Sequence, residues 1–225
     1  MTHRFYSKTP KEQNRFQLFL GLVTLALIAA AVGLAFYTGI YLIAIFSFII
    51  TLSIVAPFFD MPSIKKSGKM TYYSALFIAE NPKNGVITIH GGTLFDYYFV
   101  LDRQSSGRQR TAIIIQQYLE GLLSLIEEQA TNKDLIVRGT SYILNQRTAE
   151  KLGFTQVKAD GLQYMLLIYN YFNLLLSNSM AKNKLAFPRL NNSKTFEAEV
   201  SQLLERKEYI ESLNCSLKAS ITKEV

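Results

Sequence analysis

Charge is missing from the chain between Arg15 and Asp60, and the stretch Phe16 to Phe59 is apolar almost throughout. One membrane-crossing helix needs about 20 apolar residues, so the run holds two helices and almost no loop. The break is expected at Tyr37–Tyr41, where Gly39 can take the positive φ of a tight turn. The pattern therefore predicts spans over about 17–37 and about 40–59. A hairpin of a soluble core would show a polar face. A secretory signal would have a shorter apolar region followed by a cleavage site. Neither description fits.

Beyond the run, the period changes repeatedly. The stretch MPSIKKSGK (61–69) has Pro62, Gly68 and no apolar period, and reads as a linker over 60–70. TYYSALFIAENP (71–82) reads as a strand or a short helix against the membrane, ended by Pro82 and Gly85. VITIH and TLFDYYFVLD flank Gly91-Gly92, which predicts a two-residue β-hairpin. Such a hairpin sets His90 opposite Thr93 and Ile87 opposite Asp96, so His90 and Asp96 face opposite sides, a turn histidine and an edge aspartate. RQSSGRQR (103–110) is a polar, basic loop.

Ile114, Ile115, Leu119, Leu122, Leu123 and Ile126 then recur at helical spacing, predicting a helix over 111–130. DLIVRG (134–139) reads as a strand, and 141–151 as a short helix stopped by Gly153. Residues 162–176 are nearly all apolar apart from a narrow stripe, Gln163, Asn170 and Ser177. The segment is too short to span a bilayer, and is expected to pack under the sheet, against the hairpin or against a partner. A final amphipathic helix is predicted over 195–213, with Phe196, Val200, Leu203, Leu204, Ile210 and Leu213 on one side.

The fold class is thus α/β (α+β): a transmembrane hairpin, then a small mixed-sheet domain and C-terminal helices. The expected organisation is a basic tail over 1–15, the hairpin over 16–59, the linker over 60–70, the α/β domain over 71–190, and a C-terminal helix and tail over 191–225.

The net charge of +7 is concentrated beside the hairpin. Arg4, Lys8, Lys11 and Arg15 stand before it against Glu12, and Lys65, Lys66 and Lys69 follow it against Asp60, while the remainder is nearly balanced. Lys and Arg flank spans on the cytoplasmic side, which predicts cytoplasmic termini and a cytoplasmic domain. The same seven cations are expected at anionic lipid headgroups, each worth about 1 kcal/mol near the surface. Basicity explained this way gives no reason to expect nucleic acid. The single cysteine, Cys215, excludes an internal disulfide and has no neighbouring histidine. Two histidines and one cysteine make no His/Cys metal site. No charge lies inside the spans to mark an ion path.

The order from Val86 to Phe154, with a basic Gly-containing loop, a helix, a strand and a helix ending in EKLGF, resembles the core of the GNAT-superfamily N-acetyltransferases over about residues 85–158. That resemblance implies a β-loop-α-β-α core whose loop cradles the pyrophosphate of acetyl-CoA on backbone N–H groups. It would place the cofactor at Arg103, Gln104, Gly107, Arg108 and Arg110. The loop has Gln109 where the family has a small residue, and the closing helix has Ala149 where the family has the tyrosine acid. No catalytic residue is therefore assigned. The expectation is a non-catalytic membrane accessory or interaction protein with a protein partner and no cofactor. The alternative is an active tethered N-acyltransferase using an acyl-CoA.

Overall fold

The computed structural model describes residues 2–141, 144–158, 165 and 167–223. Helix α1 (Pro10–Thr38) opens with Thr9 as N-cap, Glu12 returning the bond to the Thr9 backbone, and Pro10 in the first turn. Gly39, at φ 70°, separates it from α2 (Leu42–Val55). Pro57 then begins α3 (Pro57–Lys66). The segments Pro10–Thr38 and Leu42–Lys66 are both long and apolar enough to cross a membrane. Only 6% of the most apolar stretch of the first and 11% of that of the second is buried, so neither is a core helix of the soluble part. The two helices pack against each other, and a Cβ at Gly21 would lie 3.8 Å from the Phe59 ring. The stretch expected as a linker is largely helical: α3 carries Pro62 inside it and buries Phe58 and Met61.

The six strands among the described residues are β1 (Met70–Tyr72), β2 (Phe77–Glu80), β3 (Val86–Gly91), β4 (Ile136–Ser141), β5 (Thr155–Val157) and β6 (Lys194–Glu199), in the spatial order β1-β2-β3-β4-β6-β5. Only β3 and β4 pair in parallel. The hairpin joins β2 to β3 rather than forming at Gly91-Gly92. Its turn is Asn84-Gly85, both residues at positive φ (52° and 78°), the dipeptide a two-residue hairpin turn favours. Lys83 and Val86 close it with reciprocal backbone bonds of 2.9 and 3.0 Å.

Residues 94–100, expected as the second arm of a hairpin, form helix α4 (Leu94–Val100). The local cause is a capping box: the Thr93 side chain caps the first turn, and Asp96 accepts from the Thr93 backbone N–H at 2.7 Å. Helix α5 (Gly107–Glu128) completes the crossover from β3 to β4 that parallel pairing requires. After β4 come α6 (Gln146–Lys151) and β5; α7 (Tyr171–Lys182) precedes β6, which leads into α8 (Val200–Glu205) and α9 (Lys207–Lys223). The amphipathic helix expected from 195 therefore begins at 200. Residues 194–199 pair with β4 along their whole length, and a Glu199–Gln202 capping box starts the helix there. Of the polar stripe in 162–176, Gln163 lies outside the described residues.

Strand alternation gives the sheet two faces. Phe77, Ala79, Ile87, Val137, Phe196 and Ala198 join Leu122, Leu125 and Ile126 of α5 and Leu203 and Ile210 of α8 and α9 in the larger core. On the other face Ile78 packs with Phe5, Phe58, Met61, Leu94, Phe95 and Phe99. Residues before α1 and after α2 thereby become part of the soluble domain.

Candidate functional site

The five residues expected at a cofactor do not converge. Ser106 caps α5, its hydroxyl accepting from the Gln109 N–H at 3.2 Å while the Gln109 side chain accepts from the Ser106 N–H at 2.9 Å. A Cβ at Gly107 would overlap the Lys182 carbonyl oxygen, so the glycine serves a close approach between α5 and the end of α7. Arg110 is buried, and its guanidinium donates to three backbone carbonyls: Asp102 (3.0 Å), Met180 (2.8 Å) and Arg103 (2.7 Å). It closes the carboxyl end of α7 onto the loop. Arg103 donates to the Tyr98 hydroxyl at 3.1 Å and lies 5.4 Å from the Tyr98 ring centre. The Gln104 N–H donates to the Asp102 carboxylate. Gly107 and Arg108 do share an open depression of about 660 Å³, lined also by Ile115, Lys182, Lys184 and Leu217. Ala149, where the resemblance expects the acid, is fully buried in the larger core. Tyr142, on the same predicted helix, lies outside the described residues.

A second constellation joins the segment before α1 to the soluble domain. Arg4 donates to the carbonyls of Tyr98 (2.7 Å), Phe99 (2.8 Å) and Leu101 (2.9 Å), which puts a cation on the carboxyl end of α4. Phe5 is wholly buried, 5.0 Å from the ring centre of Phe95 and 5.2 Å from that of Phe99. Two residues earlier, His3 Nε2 lies 3.2 Å from the Asp96 carboxylate. Asp96 is fully buried and also accepts from the Tyr72 hydroxyl (2.9 Å), the Thr93 hydroxyl (2.8 Å) and the Thr93 N–H. Lys65 Nζ stands 3.6 Å over the Tyr6 ring and 4.8 Å from that of Tyr72.

The electrostatics follow from burial beside an anion. Desolvation, and then the Asp96 charge, push the Tyr72 hydroxyl far above its ordinary value, so it stays a neutral donor. Burial pushes Tyr6 up to about 12, against a small opposing effect of its bond to Tyr72. His3 is packed between Tyr6 (4.5 Å) and Phe95 (5.0 Å), with its side chain 7% exposed, and its Nδ1 has no hydrogen-bond partner. A histidine–carboxylate pair can move a proton, but enclosed this way it has no open approach for a substrate. What the arrangement does is fasten residues 3–6 to α4 and β1.

Sequence reasoning missed this cluster. Its one local signal is Thr93-Leu-Phe-Asp96, a capping box read as strand; nothing in sequence spacing links His3 to Asp96. His90, far from Asp96, is exposed on β3 and bonds Glu80 at 3.0 Å. Of the seven cations expected at lipid, Arg4 is held by carbonyls and Lys65 by the two rings. Lys8 and Arg15 line a small cleft of about 320 Å³ with Glu12, Phe16 and Phe19; Lys11, Lys66 and Lys69 are exposed. Among the described residues no group of three or more His, Cys, Asp or Glu side chains is placed to hold a metal ion. Comparison with family models, with curated proteins and with solved structures finds no match to this chain.

Proposed function

We propose that this chain is a membrane-anchored, non-catalytic accessory or interaction protein. Two spans hold it in the bilayer, both termini and the α/β domain lie on the cytoplasmic side, and the domain presents a fixed surface to a protein partner. The observation that carries the reading is the docking of residues 3–6 and α3 onto α4. Both cytoplasmic ends of the hairpin are packed into the domain core, which holds the domain in one orientation to the bilayer. A flexible tether would serve a passive anchor; a packed junction suits a component that must meet a partner at a set height and angle. Purifying the full chain from its native membrane in mild detergent tests the partner. Recovery of a stoichiometric complex is expected; a lone monomer overturns the interaction reading. Exposed Cys215 tests the orientation. An impermeant maleimide should label it in inside-out vesicles and not in right-side-out ones.

A second reading is a membrane-tethered acyl-CoA-dependent N-acyltransferase. It is favoured by the depression beside Gly107, where Lys182 and Lys184 supply positive charge. Calorimetry of the full chain with acetyl-CoA separates the two: no heat at millimolar cofactor is expected, and saturable binding lost in Lys182→Glu/Lys184→Glu would favour the enzyme.

A further inference from the structure

Helix α7 is built the wrong way round for a helix on the surface of a soluble domain. Three of its polar side chains point inward. Asn173, Ser177 and Asn178 are buried. The Asn173 carbonyl accepts from the Leu94 N–H and the Ser177 hydroxyl, both at 3.3 Å, and Asn178 donates to the Ala186 carbonyl at 2.8 Å. Tyr171, Phe172, Leu174 and Leu175 meanwhile keep part of their surface exposed. The apolar exposure continues at both ends, with Ile168 and Tyr169 at 52% and 70% before the helix, and Leu185 and Phe187 at 71% and 63% after it. An ordinary surface helix shows the opposite arrangement, and exposed apolar surface of this extent marks a contact.

What covers it is indicated by its neighbours. α7 touches α2, and Leu176 and Met180 pack into the cluster that includes Ile54 near the end of α2. The outward face of α2 is itself apolar and exposed, at Ile45, Phe46, Ile49 and Leu52. Helix α7 therefore abuts a candidate span whose own outward face is apolar. Tyr169 and Tyr171 are of a residue type that sits at the membrane–water boundary. Lys182, Lys184 and Arg189 are exposed around Leu185 and Phe187, a cationic setting for anionic headgroups. Twelve residues rise only about 18 Å, so α7 cannot cross the bilayer.

We infer that α7 and its flanks lie flat in the boundary between lipid headgroups and acyl chains, with Tyr171, Phe172, Leu175, Leu185 and Phe187 facing lipid. The inference rests on the reading of α1 and α2 as spans. It gives the domain a second attachment to the membrane beside the hairpin.

The test uses the full chain with Cys215→Ser, and single cysteines introduced by Leu175→Cys, Phe187→Cys or Leu27→Cys. Each carries an environment-sensitive fluorophore, in vesicles of phosphatidylethanolamine and phosphatidylglycerol; the unsubstituted chain labelled at Cys215 is the aqueous reference. Labels at 175 and 187 should lose most of their emission to spin-labelled lipid bearing a shallow nitroxide, and little to iodide. Leu27, exposed on α1, should respond to a deep nitroxide. Iodide quenching at 175 and 187 equal to that at Cys215, with Leu27 still in lipid, overturns the seating of α7 and leaves the anchor standing. Protection at 175 and 187 from both quenchers means a protein contact and also overturns it. Iodide quenching at Leu27 overturns the anchor itself, and α7 with it.

Discussion

Leu125, Ile126, Val137, Val200 and Leu203 fill one side of the sheet with side chains that α5, β4 and α8 deliver from within the soluble domain. The other side is filled from farther away: Phe5 comes from before α1, Phe58 from after α2, and Phe95 and Phe99 from α4, with His3, Tyr72 and Asp96 enclosed among them. The first side is held by apolar area, which is non-directional. The second adds a carboxylate that must be met by particular donors, which selects one docking of the segment before α1. Stability and position are thus assigned to different faces.

Five substitutions and a titration bear on that division. Leu125→Ala should cost the full chain about 3–5 kcal/mol, the cost of a fully buried leucine, seen as a lower midpoint in denaturant melts of the domain in detergent. Asp96→Ala strands the Tyr72, His3 and Thr93 donors and should cost about 2–3 kcal/mol. Its signature should be local, with proteolysis at residues 3–9 before the domain melts. If it lowers the whole transition as much as Leu125→Ala does and exposes no segment first, the two faces form one cooperative unit. Arg4→Gln removes a cation from three carbonyls of α4 and should cost about 1–2 kcal/mol, read as faster hydrogen exchange at residues 98–101.

Alkali should act on the second face through tyrosine. Tyr72 is held far above its ordinary value and Tyr6 at about 12, so above the unfolded value of about 10 the unfolded chain has lost protons that the folded chain keeps. Stability from these groups is complete below about pH 10 and falls as pH rises towards 12. Tyr118, partly buried and also raised by desolvation, adds to the slope from the other side of the sheet; Tyr72→Phe should flatten one part and leave that one. Smallest of all, Lys207→Ala should change stability by about 0.5 kcal/mol or less, because its 2.9 Å pair with Glu127 is at the surface.

The apolar hairpin, its turn at Gly39 and the long helix before β4 were legible because each carries an unbroken period or an absence of charge. Asn84-Gly85 is as plain a turn signal as Gly91-Gly92, and two glycines between β-formers look like a turn until Thr93 and Asp96 are seen to cap a helix. β6 resembles helix because Phe196, Val200 and Leu203 fit a helical spacing that runs across the strand–helix boundary. The basic loop is expected as a cofactor cradle from its resemblance to the acetyltransferase loop; that its Arg110 faces inward is not legible, because only the folded chain brings the carbonyls near it. The His3–Asp96 contact joins residues that no local pattern relates. Helix α7 is half legible: its apolar run is visible, but of its polar stripe Asn170 is exposed and Ser177 buried, and the inward Asn173 and Asn178 lie off the stripe.

The separation between His3 and Asp96 also orders events during synthesis. Chains fold as they emerge, N-terminal parts first. Residues 3–6 leave the ribosome before the hairpin, and the hairpin can enter the membrane before Asp96 has been added. For that interval the segment has neither its carboxylate nor the carbonyls that Arg4 will take up. Docking it is therefore a late step, and a chain stalled before α4 would leave Phe5 and Tyr6 without the Phe95 and Phe99 rings that cover them.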